Sequence, residues 1–90
     1  MSKVVLSGFI IVPKQDLKTI KAELAHHIRL TRQEAGCIVF NVIQNEELST
    51  RFDVYEEFVD QQAFEHHQKR IKKSNWGKLT KDVQRSFNIN

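Results

Sequence analysis

Two hydrophobic periodicities alternate along this chain, and their order constrains the fold more than any other feature. Residues 4–12 are rich in β-branched and aromatic side chains and end at Pro13, which predicts a strand. From Asp16, apolar side chains recur at spacings of three and four, which predicts an amphipathic helix that ends before Gly36. The same reasoning predicts strands over residues 37–43 and 52–58, a helix over 60–73, a short helical segment from Ser74, and a last strand over 84–89.

The predicted order is βαββαβ, with the two central strands joined as a hairpin. This is the order of the ferredoxin-like α+β fold, in which two helices cover one face of a four-stranded antiparallel sheet. Ninety residues supply enough chain for one such domain, over residues 1–90, and too little for a second core. We therefore expect one α+β domain.

Two of the predicted strands are apolar on both faces. Alternation places Val4, Leu6, Ile10 and Val12 opposite Val5, Phe9 and Ile11 in strand one, and Ile38, Phe40 and Val42 opposite Cys37, Val39 and Ile43 in strand two. The predicted helices can cover only one face, and a large exposed apolar patch is rare on a monomer. We expect a second copy of the chain to cover the other face, sheet on sheet, in a homodimer. The alternative is a monomer with one exposed apolar face.

The charge and the cysteine content limit which classes of partner and which cellular compartment we expect. The net charge is +3, and acidic residues are interspersed among the basic ones, so we expect neither nucleic acid nor membrane as a partner. Strand three also carries acids where an RNA-recognition module of the same element order would meet phosphates. The apolar run near the N-terminus fits neither a signal peptide nor a membrane span. Because Cys37 is the only cysteine, no internal disulfide is possible and a cytoplasmic location is expected.

The helix predicted over residues 60–73 carries one histidine that is a good candidate for function. Helical phase places His67 on the inward apolar stripe, whereas His66 points about 100° away. On strand three, Glu56 shares a face with aromatic and aliphatic neighbours, and a carboxylate buried there needs a hydrogen-bonding partner. We expect Glu56 and His67 to form a carboxylate–imidazole pair that can hold a base near neutral pH. A purely structural ion pair would give the same pattern.

Four further residues are candidates for substrate binding, namely Phe40, Asn41, Phe58 and Trp76. Trp76 follows the second helix and would form either the wall of an apolar pocket or the end of the core. Asn41 interrupts the apolar strand two and needs a partner if it is buried, which a dimer contact would also provide.

Metal and cofactor motifs are missing from the sequence. The histidines at 26–27 and 66–67 are adjacent, and adjacent helical residues diverge, so no metal site is expected. The sequence has no glycine-rich phosphate loop that would hold a nucleotide or a flavin.

Three short motifs resemble those of the antibiotic biosynthesis monooxygenase family, which includes quinol monooxygenases. They are Glu34-Ala-Gly-Cys37, the stretch from Phe52 to Phe58 with Glu56 two residues before its last aromatic, and Asp60-Gln-Gln-Ala-Phe-Glu-His-His67. Their order and spacing fit E-x-G-C, E-x-W/F and D-x-x-A-F/L-x-x-H over nearly the whole chain. The resemblance implies a ferredoxin-like α+β domain paired as a dimeric barrel.

The resemblance also implies an activity. Relatives oxidise electron-rich phenols, anthrones or quinols with O₂ and no bound cofactor, so the substrate supplies the electrons. It implies His67 as a base oriented by Glu56. From their positions, and not from the resemblance, we expect Trp76, Phe40 and Phe58 to stack against the ring of a small aromatic substrate. The alternative is a non-catalytic dimeric barrel that binds small molecules or acts in a stress response.

Overall fold

The computed structural model of the protein describes residues 2–90. Its elements are β1 (Val4–Ile11), a 3-10 turn (Lys14–Asp16), α1 (Leu17–Arg32), β2 (Cys37–Gln44), β3 (Arg51–Phe58), α2 (Gln61–Lys73), α3 (Asn75–Leu79) and β4 (Gln84–Ile89). The strands form one antiparallel sheet in the order β2-β3-β1-β4. This is the ferredoxin-like arrangement, and the α+β prediction is confirmed.

Two side-chain caps fix where the second half of the chain becomes helical. The Asp60 carboxylate accepts a hydrogen bond from the Ala63 amide at 2.8 Å, and α2 begins there as predicted. Ser74 has an extended backbone that interrupts the helix, and its hydroxyl accepts from the Gly77 amide at 3.1 Å to start α3. This break turns Trp76 into the core, where only 8% of it is exposed. No helix within residues 2–90 is long and apolar enough to cross a membrane.

The helices pack on one face of the sheet and enclose two apolar clusters. One cluster contains Phe52 and Trp76, and the other contains Phe58 and Phe64. Buried polar side chains accompany these clusters, namely His27, Thr31, Glu56, His67 and Thr80. Buried groups of this kind need partners, and their arrangement defines the site described below.

The predicted alternation of strand two is wrong at its first two residues. The pairing of β2 with β3 shifts register between Cys37 and Val39, as a β-bulge does. Ile38 is the extra residue and is 49% exposed, whereas Cys37 packs against the Phe58 cluster. Beyond the bulge, Phe40 faces inward as predicted.

The outer face is the side of the sheet opposite the helices, and within residues 2–90 no helix covers it. Its apolar side chains are Val5, Phe9, Ile11, Val39, Ile43 and Tyr55, of which Ile43 is 66% and Tyr55 39% exposed. Charged groups lie among them, since the Arg51 guanidinium sits 4.0 Å from the centre of the Phe9 ring. Lys3 also pairs with Glu57 at 3.0 Å. This face is therefore mixed in character, because the polar side chains of β3 lie between the apolar side chains of β1 and β2.

Candidate functional site

A cavity of about 180 Å³ lies between the inward face of the sheet and the helices. Its walls are mainly aliphatic and aromatic, and its polar lining groups are His27, Glu56, Gln68, Thr80 and Arg85. Gly8 leaves room for Phe87, which lines the cavity, because a Cβ atom at position 8 would clash with the Ser86 carbonyl oxygen and lie 2.7 Å from Phe87 Cδ1. An apolar hollow with a few polar groups has the composition of a small-molecule site.

Glu56 is the carboxyl group that faces this cavity. It lies on β3 between Leu6 of β1 and Phe40 of β2, and only 10% of its side chain is exposed. Burial raises the pKa of Glu56 to about 7, and the negative charge of Glu34 acts in the same direction. A carboxyl group with this pKa exchanges its proton near neutral pH, as a general acid or base requires.

His67 lies directly behind Glu56 and does not line the cavity. Its Nε2 is 3.7 Å from Glu56 Oε1, so the predicted pair is brought together, but at a distance too long for a hydrogen bond. Burial lowers the pKa of His67, although the hydrogen bond with Glu34 opposes this effect. The imidazole is therefore neutral at neutral pH, and its Nε2 has no hydrogen-bond partner within residues 2–90.

Glu34 anchors the other side of the His67 ring. His67 Nδ1–H donates to Glu34 Oε2 at 2.9 Å, and because a carboxylate only accepts, the proton of the neutral ring lies on Nδ1. The Arg70 Nε–H donates to the same oxygen at 2.7 Å, and its Nη2 donates to the Thr31 hydroxyl at 2.9 Å. This network fixes the tautomer and leaves the Nε2 lone pair directed toward Glu56.

His27 is a second buried histidine that sequence reasoning missed. Its ring stacks on Trp76, with centroids 4.8 Å apart and planes 8° from parallel, and meets the edge of Phe40 at 5.4 Å. Its Nδ1 has no hydrogen-bond partner in the described part of the chain. Burial lowers the pKa of His27 to about 3, so the ring is neutral. The helical phase of the buried residues of α1, namely Ile20, Leu24, His27 and Thr31, would have found it.

The structure separates the four residues predicted to bind substrate. Phe40 and Trp76 line the cavity. Phe58 is fully buried against His67, at 4.8 Å between ring centroids, and does not reach the cavity. Asn41 lies on the exposed outer face, where its Oδ1 is 3.4 Å from Arg32 Nη2, because strand alternation turns it away from its neighbour Phe40. In the described part of the chain, no three His, Cys, Asp or Glu side chains are grouped as metal ligands.

A family model described as "Antibiotic biosynthesis monooxygenase" matches residues 4–72. Among solved structures, a candidate antibiotic biosynthesis monooxygenase from Nitrosomonas europaea superposes with a TM-score of 0.80 at 19% identity, covering 98% of this chain and 88% of that one. MupZ from Pseudomonas fluorescens gives a TM-score of 0.81 at 20% identity, covering 99% and 71%. Protein SO0527 from Shewanella oneidensis gives 0.71 at 24% identity, covering 98% and 86%. These likenesses establish the fold, and no curated protein matches the sequence significantly.

Proposed function

Because the chain belongs to the antibiotic biosynthesis monooxygenase family, we propose that it is a cofactor-independent monooxygenase that oxidises a small electron-rich aromatic compound with O₂. The observation that carries this proposal is the environment of Glu56. Its carboxyl group lines an apolar cavity, and its pKa is raised to about 7. Such a group can remove a phenolic proton near neutral pH in a site that excludes most water.

The size of the cavity favours a substrate with one aromatic ring. A cavity of about 150 Å³ is large enough to hold benzene, and this one measures about 180 Å³. Phe40 and Trp76 would contact the faces or edges of such a ring. A single-ring phenol or quinol therefore fits better than a three-ring anthrone-like compound.

The proposed reaction begins with proton transfer from a substrate hydroxyl to the Glu56 carboxylate. The resulting phenolate passes one electron to O₂, and the two radicals combine to form a carbon–oxygen bond. The ring carbon then loses its proton as the O–O bond breaks, which leaves a carbonyl group and releases water. For a quinol the balance is quinol plus O₂ giving hydroxyquinone plus water, so the substrate supplies every electron.

His67 acts in this proposal as a positioning residue behind Glu56. Its neutral ring presents the Nε2 lone pair 3.7 Å from Glu56 Oε1, where it favours the protonated carboxyl group formed after proton transfer. Glu34 holds the ring in that tautomer. The proposed base is therefore Glu56, which lines the cavity, whereas the sequence predicted His67 as the base.

Oxygen consumption tests the proposed activity. We expect uptake above the protein-free background with single-ring quinols or phenols, and little or none with an anthrone. The background-corrected rate should rise with pH through about 7, because Glu56 accepts a proton only when it is ionised. Absence of uptake across the panel would contradict the proposal and favour a non-catalytic barrel that binds small molecules.

We also propose that the protein is a homodimer whose outer faces pack against each other. The support is the set of apolar side chains on the outer face, which includes Phe9 and the exposed Tyr55 and Ile43. Burying these side chains removes apolar surface from water, which is the main driving force for association. The helices on the opposite face would remain on the outside of such a pair.

Ile43→Lys is expected to weaken the dimer, because it would replace an apolar side chain of the contact with a charged one that is costly to desolvate. We expect the dimer dissociation constant to rise about tenfold or more, measured by sedimentation equilibrium. Ile89→Lys is the matched control, since Ile89 is 56% exposed but pairs with the inward-facing Leu6 and so lies on the other side of the sheet. Equal dissociation constants for both variants would place the contact elsewhere.

A further inference from the structure

Within residues 2–90, Arg85 is the only arginine or lysine that lines the cavity. It lies on β4 opposite the buried Ile10 of β1, so its side chain projects from the inward face of the sheet. One N–H group of its guanidinium donates to the Thr80 carbonyl oxygen. No acidic side chain in the described part of the chain forms an ion pair with it. The guanidinium therefore keeps free donors at the edge of an apolar cavity.

Arg85 and Glu56 lie at opposite ends of the cavity. Glu56 pairs with Leu6 on β1, whereas Arg85 pairs with Ile10 four residues further along the same strand. This places their backbones roughly 13 Å apart along the strand direction. The wall between them is apolar and includes Phe87, which pairs with Gly8. A ligand that fills this space would meet a carboxyl group at one end and a cation at the other.

We propose that Arg85 binds an anionic substituent of the aromatic substrate, so that the substrate class is a hydroxyaryl carboxylate. This inference rests on the proposed function, in which the substrate hydroxyl group meets Glu56. The planar guanidinium matches the geometry of a carboxylate and can donate two parallel hydrogen bonds to it. A para-substituted ring carries its hydroxyl and carboxylate groups at opposite ends, as the two cavity ends require.

The exposure of Arg85 suits this role. Arg85 is exposed at the edge of the cavity, whereas Glu56 is buried within it. A carboxylate bound at the edge keeps part of its hydration, which avoids the large cost of burying an ion completely. The uncharged hydroxyl end can enter the apolar interior at a much smaller cost. The charge distribution therefore orients the ligand with its hydroxyl group inward.

Ligand binding without turnover tests this inference. Trp76 is the only tryptophan and lines the cavity, so its fluorescence reports occupancy directly. The probes are para-hydroxybenzoate and its uncharged amide, para-hydroxybenzamide, titrated under anaerobic conditions. We expect the wild-type protein to bind the acid about tenfold or more tightly than the amide, as a charge-assisted hydrogen-bonded pair would give.

Arg85→Met should remove this preference and bring the ratio of the two dissociation constants close to one, while binding of the amide persists. Amide binding thereby serves as an internal check that the variant is folded. Arg85→Lys keeps the charge but loses the planar fork, so it should give an intermediate ratio. The matched control is Lys78→Met, which removes one positive charge outside the cavity and should keep the wild-type ratio.

Three results would overturn the inference: equal affinity of the wild-type protein for acid and amide, a preference that survives in Arg85→Met, or no binding of either probe. Failure of the proposed oxygenase activity is a separate outcome. If the acid is preferred but no oxygen is consumed, the protein is a binding protein for such acids. If oxygen is consumed but the acid is not preferred, the substrate of the oxygenase is uncharged.

Discussion

Glu56→Gln is expected to lower kcat/KM for oxygen uptake by ~10²- to 10⁴-fold, the usual contribution of a positioned general base. Glutamine keeps the shape of the side chain and its capacity for hydrogen bonds, but it cannot accept a proton from the substrate. The measurement is oxygen consumption with the best single-ring substrate, corrected for the protein-free rate. The rise of activity with pH through about 7 should disappear in the variant, because that rise comes from the pKa of Glu56.

Glu57→Gln provides the matched control for this substitution. Glu57 is the next residue on the same strand, and its side chain lies on the outer face beside Tyr55 and Lys3. The two variants lose the same formal charge, but only one changes the cavity. Equal activity of the two variants would contradict the role of Glu56 as the base.

Loss of folding cannot account for the expected effect of Glu56→Gln. The pKa of Glu56 is 4.5 as a free group and about 7 in the folded protein, so between these values the folded state binds more protons than the unfolded state. The stability contributed by protonated Glu56 is present in full below pH 4.5 and is lost as pH rises through 7. At 1.36 kcal/mol for each pH unit, the total is about 3 kcal/mol. The glutamine variant should therefore be at least as stable as the wild-type protein at alkaline pH.

The position of Glu56 and His67 was predictable because each follows from the periodicity of a single element. Strand alternation turned Glu56 toward the core, and helical phase turned His67 toward the same space. These rules predict which way a side chain points, but they do not predict how deeply it is buried. They could not indicate that the His67 ring is sealed behind Glu56, since that depends on how the packing of α2 on the sheet closes around Phe58.

Glu34 could not be assigned from local pattern. It lies in the turn after α1, where no periodicity fixes the direction of a side chain, and its partner His67 is 33 residues away. The resemblance contained this glutamate in its first motif without giving it a role. The bulge at Ile38 could not be predicted either. An extra residue in one strand becomes apparent only when that strand is paired with its neighbour.

His27→Phe is expected to stabilise the protein in acid. The pKa of His27 falls from 6.5 to about 3 on folding, because burial disfavours the charged ring and the neighbouring His67, Arg70 and His26 add repulsion. Between these two values the unfolded state binds the extra proton and the folded state does not. Stability is therefore lost as pH falls from 6.5 toward 3, by up to about 5 kcal/mol.

Phenylalanine can replace this histidine at little structural cost. Its ring can keep the stack on Trp76 and the edge contact with Phe40, and no hydrogen bond to Nδ1 is lost because none is made. We expect similar unfolding free energies for both proteins at about pH 7.5, and a more stable variant at about pH 4, from urea titrations. His26→Phe is the control, since His26 is half-exposed and faces away from the cavity.

The other buried groups set how clearly this difference will appear. His67, whose pKa is also lowered by burial, destabilises the wild-type protein in acid in the same direction as His27. Protonation of Glu56 acts in the opposite direction between pH 7 and 4.5. Both contributions are present in the wild-type protein and in His27→Phe. The difference in unfolding free energy between the two proteins therefore reports mainly on His27, together with any change that its replacement causes in the pKa of His67. An identical decline of both proteins in acid would show that the His27 ring is hydrated or charged in the folded state, and the cavity would then be wetter than its apolar walls indicate.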